Sequence, residues 1–450
     1  MSNSGLKPIT AIDTRYSKDV QKLVNIFDDF TYYKHRFNVE LEYFRVISQI
    51  NIPSIEFTQD SYNEILRIES TTRHDVKAIE YYIKSLPIII ETGKLHLIHL
   101  GLTSQDVNSI GFTIMFRDSV NLLLNELNLL IENINTKIIE YDVPMLSFTH
   151  GQPAVPTTMK KELSVYTYRL TEQCKIITKM KDILRCKMGG ANGNNNALYY
   201  LAETPKKLDL PYNNWSELFT DITAKFGLIR TPITTQCDDY DSVCNVLRTI
   251  QNCGHILESL RMNMWNYISR GYFQLANIAG EVGSSTMSHK INPIDFENSR
   301  TMLELANSEI DAICRIISVL SYQRDISDSS ATRCISSVFG YFLIAVNRLN
   351  VGFARISGIN KGRITRELEE NSSVIIEGVQ TYLKYYCGMG NAYEITKELT
   401  RGNTQFSMND LHNFIESLEI NTIHKINLHN LNVFNYSGEI SSTNTNFTNK

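Results

Sequence analysis

Long intervals without proline constrain the fold of this chain more than any other feature of its sequence. Only 10 prolines occur in 450 residues. Because proline breaks helix interiors, the intervals between prolines are where long helices can form. The interval Ser104–Tyr141 predicts a long amphipathic helix whose start Ser104 or Asp106 could cap. Its apolar stripe, at three- and four-residue spacing, is Val107, Ile110, Ile114, Leu123, Leu127, Leu130, Ile134 and Ile138.

Four further stretches predict long helices after this one. The first of them opens with Pro-Thr-Thr, which we interpret as a first helical turn. Helices this long rarely pack alone, so five in sequence predict an elongated bundle that packs on other subunits. The four stretches are Pro156–Cys186, Asp239–Ile268, Phe296–Leu320 and Ser336–Ile356.

The predicted fold class is all-α, in three helical domains. Strand-like alternation is weak apart from short runs near Phe148–Val155, and no internal repeat is evident. Shorter helical pieces flank the central bundle on both sides. The predicted domains are 1–108, 109–356 with a glycine-bearing loop at 280–298, and 357–450 with a polar, disordered tail at 437–450.

Charge and cysteine usage argue against several classes of protein. The chain has 44 Lys+Arg against 48 Asp+Glu and no block of like charge, so we expect no nucleic-acid partner. Its 8 cysteines form no CxxC pair and indicate reduced thiols of a cytosolic protein. The first residues lack the apolar core of a signal peptide. No apolar run approaches the roughly 20 residues of a membrane span, so we expect a cytoplasmic protein without a membrane partner.

Polar segments between the long helices are candidates for chemistry. Gly280–Asn298 carries serines and a lysine on a glycine-bearing loop, which suits either a lid that delivers a base or a surface loop with incidental polar residues. Phe148–Thr158 contains His150. A single histidine is more often structural, but Thr149 and Gln152 beside it favour a polar pocket.

The segment TTRHDVKAIE suggests an anion site at a helix start. Thr71 or Thr72 could cap a helix with Asp75 in its first turn. Arg73 and His74 would then lie near a helix N-terminus, where anions bind. A capped, solvated helix start is the competing interpretation.

The segment QRDISDSSATR offers a second set of anion-binding side chains. Arg324, Ser329 and Arg333 carry donors suited to phosphate or carboxylate, and arginine binds such groups through two hydrogen bonds. A surface salt-bridge cluster is the alternative.

Signals for other chemistry are weak. His96 and His99 form an HxxH without an accompanying carboxylate or cysteine pattern, so we expect no metal site. Gly189–Asn196 lacks the strand–GxGxxG–helix context of a nucleotide fold, and we interpret it as a tight turn between helices.

Together these segments resemble one family. GSSTMSHKINP, at Gly283–Pro293, resembles the signature GSSxMPxKxNP of the fumarase/aspartase superfamily, with Ser288 where proline is usual. Within the superfamily the chain resembles the adenylosuccinate lyase family in its bacterial long form, over roughly residues 8–420. The segments that carry this likeness are IDTRY at Ile12–Tyr16, TTRHDVKAIEYY at Thr71–Tyr82, LTSQDVNS at Leu102–Ser109, THGQPAVPTT at Thr149–Thr158, TTQ at Thr234–Gln236, QRDISDSS at Gln323–Ser330 and KELTRG at Lys397–Gly402.

The resemblance implies a fold and a reaction. The middle domain would contribute five long helices to a homotetramer with a twenty-helix core, and each active site would be built from three subunits. The reactions would convert adenylosuccinate to AMP and fumarate, and SAICAR to AICAR and fumarate. No metal or organic cofactor is implied, because the substrate carboxylate itself takes up the electrons.

The resemblance also implies roles for individual residues. Ser284 matches the general base and His150 the general acid, with His74 as the other candidate acid. Lys290 and Asn292 match residues that bind the substrate and stabilise the charge that develops on its carboxylate. The other matches to substrate-binding positions are Arg15, Tyr16, Arg73, His74, Asp75, Thr103, Ser104, Thr149, Gln236, Arg324, Ser329 and Arg333.

Two alternatives stay open at this point. One is another fumarate-releasing lyase of the superfamily, such as an argininosuccinate lyase, although His289 and the THGQ segment argue against it. The other is a non-catalytic scaffold that keeps the fold. Only Ser288 and Thr14, which replaces the glycine usual in DGRY, favour that alternative.

Overall fold

The structure is a computed structural model that describes residues 8–203, 214–283, 286–402 and 406–438. Helices dominate the described residues and the strands are short, which confirms the all-α prediction. Within these ranges, 3-10 turns occur at Leu95–Leu97 and Ser372–Ile375. The α-helices are α1 Ser17–Phe27, α2 Asp29–Ser48, α3 Gln59–Thr72, α4 Asp75–Ser85, α5 Pro87–Ile90, α6 Ser104–Glu140, α7 Met159–Lys181, α8 Asn196–Glu203, α9 Trp215–Lys225, α10 Asp241–Ser269, α11 Ile294–Ile317, α12 Ser327–Arg333, α13 Ile335–Ala354, α14 Lys361–Glu370, α15 Ile376–Cys387, α16 Ala392–Thr400, α17 Met408–Ser417 and α18 Thr422–His429.

All five long helices predicted from the proline-free intervals are present as α6, α7, α10, α11 and α13. Four of them agree with the prediction to within three residues at each end, but α7 begins at Met159 rather than at Pro156. The prediction of a Pro-Thr-Thr first turn is wrong because Pro156 pairs with Leu146 in a strand. Thr158 Oγ1 then accepts the N–H of Lys161 at 3.1 Å and caps the helix.

The strands of the described residues form three two-stranded sheets. The weak strand signal near Phe148–Val155 lies in the first of them, an antiparallel hairpin with an irregular register between Leu146 and Ser147. The pairs are β1 Pro144–Thr149 with β2 Gln152–Thr158, parallel β3 Arg185–Cys186 with β4 Ile229–Arg230, and antiparallel β5 Phe273–Leu275 with β6 Ile356–Ile359.

The described residues divide into two compact units. The first contains residues up to Leu129, together with Leu170–Glu258 and Glu297–Leu349. The second contains Leu130–Arg169, Ser259–Phe296 and the residues from Asn350 onward. The three-domain division at residues 108 and 356 stays a prediction.

Each unit has its own hydrophobic core beneath candidate site segments. In the first unit, Phe37 of α2, Ile65 of α3 and Ile79 of α4 are fully buried in one cluster, which holds the α3–α4 junction in place. In the second unit, Leu146 of β1 and Leu383 of α15 are fully buried in one cluster. Full burial of one such side chain contributes about 1.5–3 kcal/mol, so both segments rest on well-packed supports.

One helical stretch resembles a membrane span by composition. Ser327–Ala354 is long and apolar enough to cross a membrane, but 56% of its apolar window is buried inside the structure. Val338, Phe342 and Leu349 are fully buried. These are the properties of a core helix in a globular protein.

Candidate active site

The α3–α4 junction presents three of the predicted site residues in succession. Arg73 adopts the left-handed conformation, with φ of 52°, and its N–H donates to the Glu69 carbonyl at 2.7 Å. His74 has an extended backbone and caps α4, its Nδ1 accepting the Lys77 N–H at 3.2 Å. Asp75 is the first residue of α4. Three polar side chains therefore come from successive residues of the turn between α3 and α4.

The prediction that Thr71 or Thr72 caps this helix is wrong. Both threonines belong to the last turn of α3, which continues until the left-handed residue at Arg73. A cap needs a non-helical backbone ahead of the helix, and His74 is the residue that has it. The prediction of Asp75 in the first turn is confirmed.

The start of α6 lies beside this junction. His74 Nε2 is 3.4 Å from Ser104 Oγ. Because His74 Nδ1 accepts a backbone N–H, the hydrogen of the neutral ring is assigned to Nε2, which donates to Ser104. The Thr103 N–H donates to Asp106 Oδ2 at 2.8 Å, so Asp106 provides the side-chain contact at the helix start. These contacts place Thr103 and Ser104 next to His74.

Asp75 lies between two arginines. Its Oδ2 is 2.5 Å from Arg36 Nη1 and 4.0 Å from Arg333 Nη2. The Arg36 side chain is 1% exposed, whereas that of Arg333 is 74% exposed. Burial alone would raise the pKa of the Asp75 carboxyl, but the charge and hydrogen bond of Arg36 outweigh it and lower the pKa. Asp75 is therefore ionised at neutral pH.

A cavity of about 700 Å³ opens in the first unit at this place. Its lining includes Arg73, Asp75, Ser329 and Arg333, which come from sequence segments that are far apart. Three carboxylates also line it: Asp75 is engaged by a buried arginine, Glu69 accepts a hydrogen bond from the Tyr33 hydroxyl, and Asp29 is exposed. Exposed Arg73 and Arg333 are thus suited to receive an anionic ligand.

Gln236 and Arg324 occupy neighbouring positions in the same unit. The Gln236 N–H donates to the Gln323 carbonyl at 3.2 Å, and its Nε2 donates to the Ala191 carbonyl at 2.8 Å. Arg324 directly follows Gln323 in the sequence and is half-buried. The segment expected to be a tight turn between helices, Gly189–Asn196, instead follows strand β3 and leads into α8.

Arg15 and Tyr16 lie immediately before α1. The Tyr16 hydroxyl donates to Asn298 Oδ1 at 3.3 Å, and Arg15 is exposed. Across the described ranges, no hydrogen bond or ion pair joins either residue to the 73–75 segment.

In the second unit, His150 lies at the tip of the β1–β2 hairpin. Thr149 pairs with Gln152, so the connection consists of His150 and Gly151 alone. Both have positive φ, 54° and 72°, as a tight two-residue hairpin turn requires. Behind the tip, the Arg270 guanidinium lies 3.8 Å from the centre of the Phe148 ring. A rigid hairpin therefore presents an exposed imidazole.

The glycine-bearing loop, up to Phe296, belongs to the second unit. Ser284, predicted as the general base, lies outside the described residues. Asn292 Nδ2 donates to the Gly283 carbonyl at 2.7 Å, and a Cβ added to Gly283 would lie 2.1 Å from the Lys290 carbonyl oxygen. Only glycine fits at that position. Lys290, Asn292 and His289 line a cavity of about 270 Å³.

Comparisons with known proteins show which family this chain belongs to. Residues 37–305 match the family model described as lyase, and residues 321–437 match the model described as adenylosuccinate lyase C-terminal. The chain belongs to the adenylosuccinate lyase family. The fumarase/aspartase resemblance seen in the loop and in the histidine segments is thereby confirmed.

Individual members of the adenylosuccinate lyase family match almost end to end. The chain is 35% identical to adenylosuccinate lyase of Buchnera aphidicola subsp. Acyrthosiphon pisum, with 98% of each chain covered. It is 34% identical to that of Dictyostelium discoideum, with 97% of each covered, and 31% identical to that of Escherichia coli, with 97% and 98% covered. A solved fumarate lyase from Mesorhizobium, 15% identical, shares the fold with a TM-score of 0.69 over 93% of this chain and 95% of that one.

Sequence reasoning missed a buried polar cluster that supports the site of this adenylosuccinate lyase family member. Asp106 Oδ1 accepts hydrogen bonds from the N–H groups of Gly189 and Gly190 at 2.7 and 3.2 Å. The same oxygen is 2.7 Å from Lys187 Nζ, and both side chains are 0% exposed. Burial lowers the pKa of Lys187, and the nearby charge of Asp106 offsets this lowering only in part. Since Asp106 also binds Thr103, one carboxylate joins the start of α6 to the glycine-rich segment.

Two further buried carboxylates extend the cluster. Asp238 Oδ2 accepts from Ser109 Oγ at 2.5 Å, and burial raises the pKa of the Asp238 carboxyl to about 6. Asp328, in α12, accepts from Gln105 Nε2 at 2.5 Å and from the Tyr240 hydroxyl at 3.1 Å. The segment before α10 and helix α12 are thus tied to the first turns of α6.

A signal for these residues was present within the predicted α6. Gln105, Asp106 and Ser109 are polar, yet they lie beside the apolar stripe and are at most 2% exposed. Buried polar side chains are normally hydrogen-bonded. Polar residues next to a long apolar stripe therefore indicate a buried network, although the sequence does not identify its partners.

Proposed function

We propose that this protein is an adenylosuccinate lyase of purine nucleotide biosynthesis. It eliminates fumarate from adenylosuccinate to give AMP, and from SAICAR to give AICAR. The observation that carries the proposal is the match of residues 321–437 to the adenylosuccinate lyase C-terminal model, in a chain whose relatives of that name align over nearly its whole length. The cavity that gathers Arg73, Ser329 and Arg333 supports it, because both substrates are anions.

The elimination requires a base for the Cβ proton of the succinyl group. Removing this weakly acidic proton pushes electrons into the adjacent carboxylate, which acquires extra negative charge. These electrons then form the Cα=Cβ bond of fumarate as the C–N bond breaks and its electron pair leaves with the nitrogen. Ser284 is the proposed base. Lys290 and Asn292, on the same loop, are the proposed donors for the charged carboxylate, since preorganised donors lower such barriers. The substrate carboxylate takes up the electrons, so the reaction needs no metal or organic cofactor.

The departing nitrogen must be protonated as the C–N bond breaks. His150 is the proposed general acid, and imidazole suits this role because the side chain as a class changes charge near neutral pH. Its place at the tip of a two-residue turn supports the role, since the hairpin leaves the ring exposed and its backbone constrained. We assign His74 a binding role, because its Nδ1 is occupied by the Lys77 N–H.

The remaining candidate residues are proposed to bind the substrate. Arg15, Tyr16, Thr103, Ser104, Gln236 and Arg324 lie in the first unit with the arginine-lined cavity, whereas Thr149, Lys290 and Asn292 lie in the second. We propose a homotetramer in which three subunits contribute to each active site. The enzyme would act in the cytoplasm.

Exposed apolar side chains on the long helices support assembly. Each of the five long helices carries at least one large apolar side chain that is more than a third exposed in the single chain. Packing of these helices on other subunits would remove such side chains from water, which is favourable. Multi-angle light scattering on the purified protein should give four times the chain mass, and a monomer would contradict the tetramer. Examples are Leu129 of α6, Tyr168 of α7, Trp265 of α10, Ile316 of α11 and Val351 of α13.

A substrate panel tests the proposed activity. The purified protein is incubated separately with adenylosuccinate, SAICAR and argininosuccinate, and fumarate is measured by a coupled fumarase assay. We expect fumarate from the first two compounds and none from the third. Fumarate from argininosuccinate alone would identify a different lyase, and none from any of them would favour a scaffold.

A further inference from the structure

Arg36 is a buried arginine that is not among the catalytic or substrate-binding residues proposed above. Its guanidinium carbon lies 4.1 Å from the centre of the Tyr32 ring and 4.2 Å from that of the Tyr33 ring. Such contacts favour a planar, weakly hydrated cation. On another side, a Cβ added to Gly111 of α6 would lie 3.3 Å from Arg36 Cγ, so α6 packs directly against the arginine stem. The position of the guanidinium is therefore fixed.

Two arginines face the same oxygen of Asp75. Arg36 Nη1 makes the close contact at 2.5 Å, while Arg333 Nη2 is at 4.0 Å, the outer limit of an ion pair. Arg36 is held by rings and by α6, whereas Arg333 is 74% exposed and free to rotate toward solvent or a ligand. Asp75 is therefore satisfied by the arginine that cannot move.

We propose that Arg36 is a positioning residue that keeps Asp75 paired, so that Arg333 stays available for an anionic group of the substrate. The inference rests on the proposed function, in which Arg333 binds substrate. Without Arg36, the Asp75 carboxylate would keep the Val76 N–H on its Oδ1 but lose its cationic partner. It lies within reach of the Arg333 fork, and Asp75 and Arg333 would close into a bidentate pair. Substrate would then compete with Asp75 for Arg333.

The effect of losing Arg36 should appear in binding rather than in the chemical step. In Arg36→Gln, we expect KM for adenylosuccinate to rise about tenfold, the size of one charge-assisted contact. We expect kcat to change by less than about twofold, because binding of substrate and transition state falls together. Arg36→Lys keeps a charge without the fork and should raise KM less.

A double-mutant cycle isolates the route through Asp75. If Arg36 acts by occupying Asp75, then Arg36→Gln should change KM little in a chain that already carries Asp75→Asn. The matched control is Lys22→Gln, which removes the cation from Glu126, a carboxylate that is 9% exposed and lies outside the cavity lining. KM and kcat of this control should equal those of the wild type.

Affinity for AMP, measured by titration calorimetry, makes the test independent of turnover. We expect about tenfold weaker AMP binding in Arg36→Gln. If that variant does not fold, Gly111→Ala, which crowds Arg36 and Tyr32, should weaken AMP binding in the same direction.

Several outcomes would overturn the proposal. Unchanged KM and AMP affinity in the folded Arg36→Gln variant would do so, as would an equal KM effect with and without Asp75. Unchanged AMP affinity in Gly111→Ala would do so if that variant replaces Arg36→Gln. A wild-type protein that neither binds AMP nor releases fumarate would instead remove the proposed function, and this inference with it.

Discussion

Replacing Lys187 with methionine should destabilise the protein strongly. Lys187 Nζ lies 2.7 Å from Asp106 Oδ1 and donates to the Gly190 carbonyl at 2.7 Å, and both charged side chains are fully buried. Methionine fills similar space without charge, so Asp106 would keep its backbone donors but lose the opposing charge. Removing one partner of a buried pair costs about 3–5 kcal/mol. Since three backbone N–H groups still stabilise the carboxylate, we expect a loss of about 3 kcal/mol.

Urea denaturation followed by far-ultraviolet circular dichroism measures this loss. All variants must be compared at one protein concentration, because assembly shifts apparent stability. The control is Lys175→Met, which removes a cation from an exposed pair with Glu172 and should cost less than about 1 kcal/mol. In Asp106→Asn, the further change Lys187→Met should cost clearly less than it does alone. A loss in Lys187→Met no larger than that of the control would refute the reasoning.

Three further sets of variants test other parts of the account. Burial raises the pKa of Asp238 to about 6, so the folded protein binds this proton more tightly than the unfolded chain. Stability relative to Asp238→Asn should therefore fall by roughly 2 kcal/mol as the pH of urea titrations rises from about 4 to 7, and a constant difference would contradict this. Gly193→Ala should raise KM, because its Cβ would lie 1.9 Å from a backbone oxygen of the 234–236 segment. Gly271→Ala is the control, since Gly271 also has positive φ but an added Cβ would have nothing within 4 Å, and its KM should stay at the wild-type value. Equal KM values for the two variants would contradict the view that Gly193 supports the site. His150→Ala and Ser284→Ala should each lower kcat by several orders of magnitude without loss of the assembly, and a near-normal rate would remove that residue's role. Subunit exchange between these two variants should restore part of the activity, and no recovery would count against shared sites.

The long helices were predictable because their signal is repeated many times. In α6 the apolar spacing persists over the whole of Ser104–Glu140, so no single residue decides the outcome. The start of α7 was not predictable, since Pro156 and the two threonines after it suit either a first turn or a strand. Pairing of Pro156 with Leu146 decides between them, and that contact depends on tertiary structure.

Residues of the candidate site also fall into those that the sequence could predict and those that it could not. Exposed residues of recognisable segments, such as Arg73 and His150, could be proposed from the sequence. The cap at His74 could not, because threonine is the better capping residue by local preference and only the path of the chain excludes it. The roles of Arg36 and Lys187 could not be predicted from the sequence either, since each side chain pairs with a carboxylate that is far away in the sequence.

The central claim is that this protein cleaves adenylosuccinate into AMP and fumarate. The most direct measurement is the stoichiometry of both products, determined by liquid chromatography after complete reaction of adenylosuccinate with the purified wild-type protein, beside a parallel reaction with His150→Ala. The account predicts equimolar AMP and fumarate from the wild type and almost none from the variant over the same period. Intact adenylosuccinate after prolonged incubation with folded, assembled wild-type protein would contradict it.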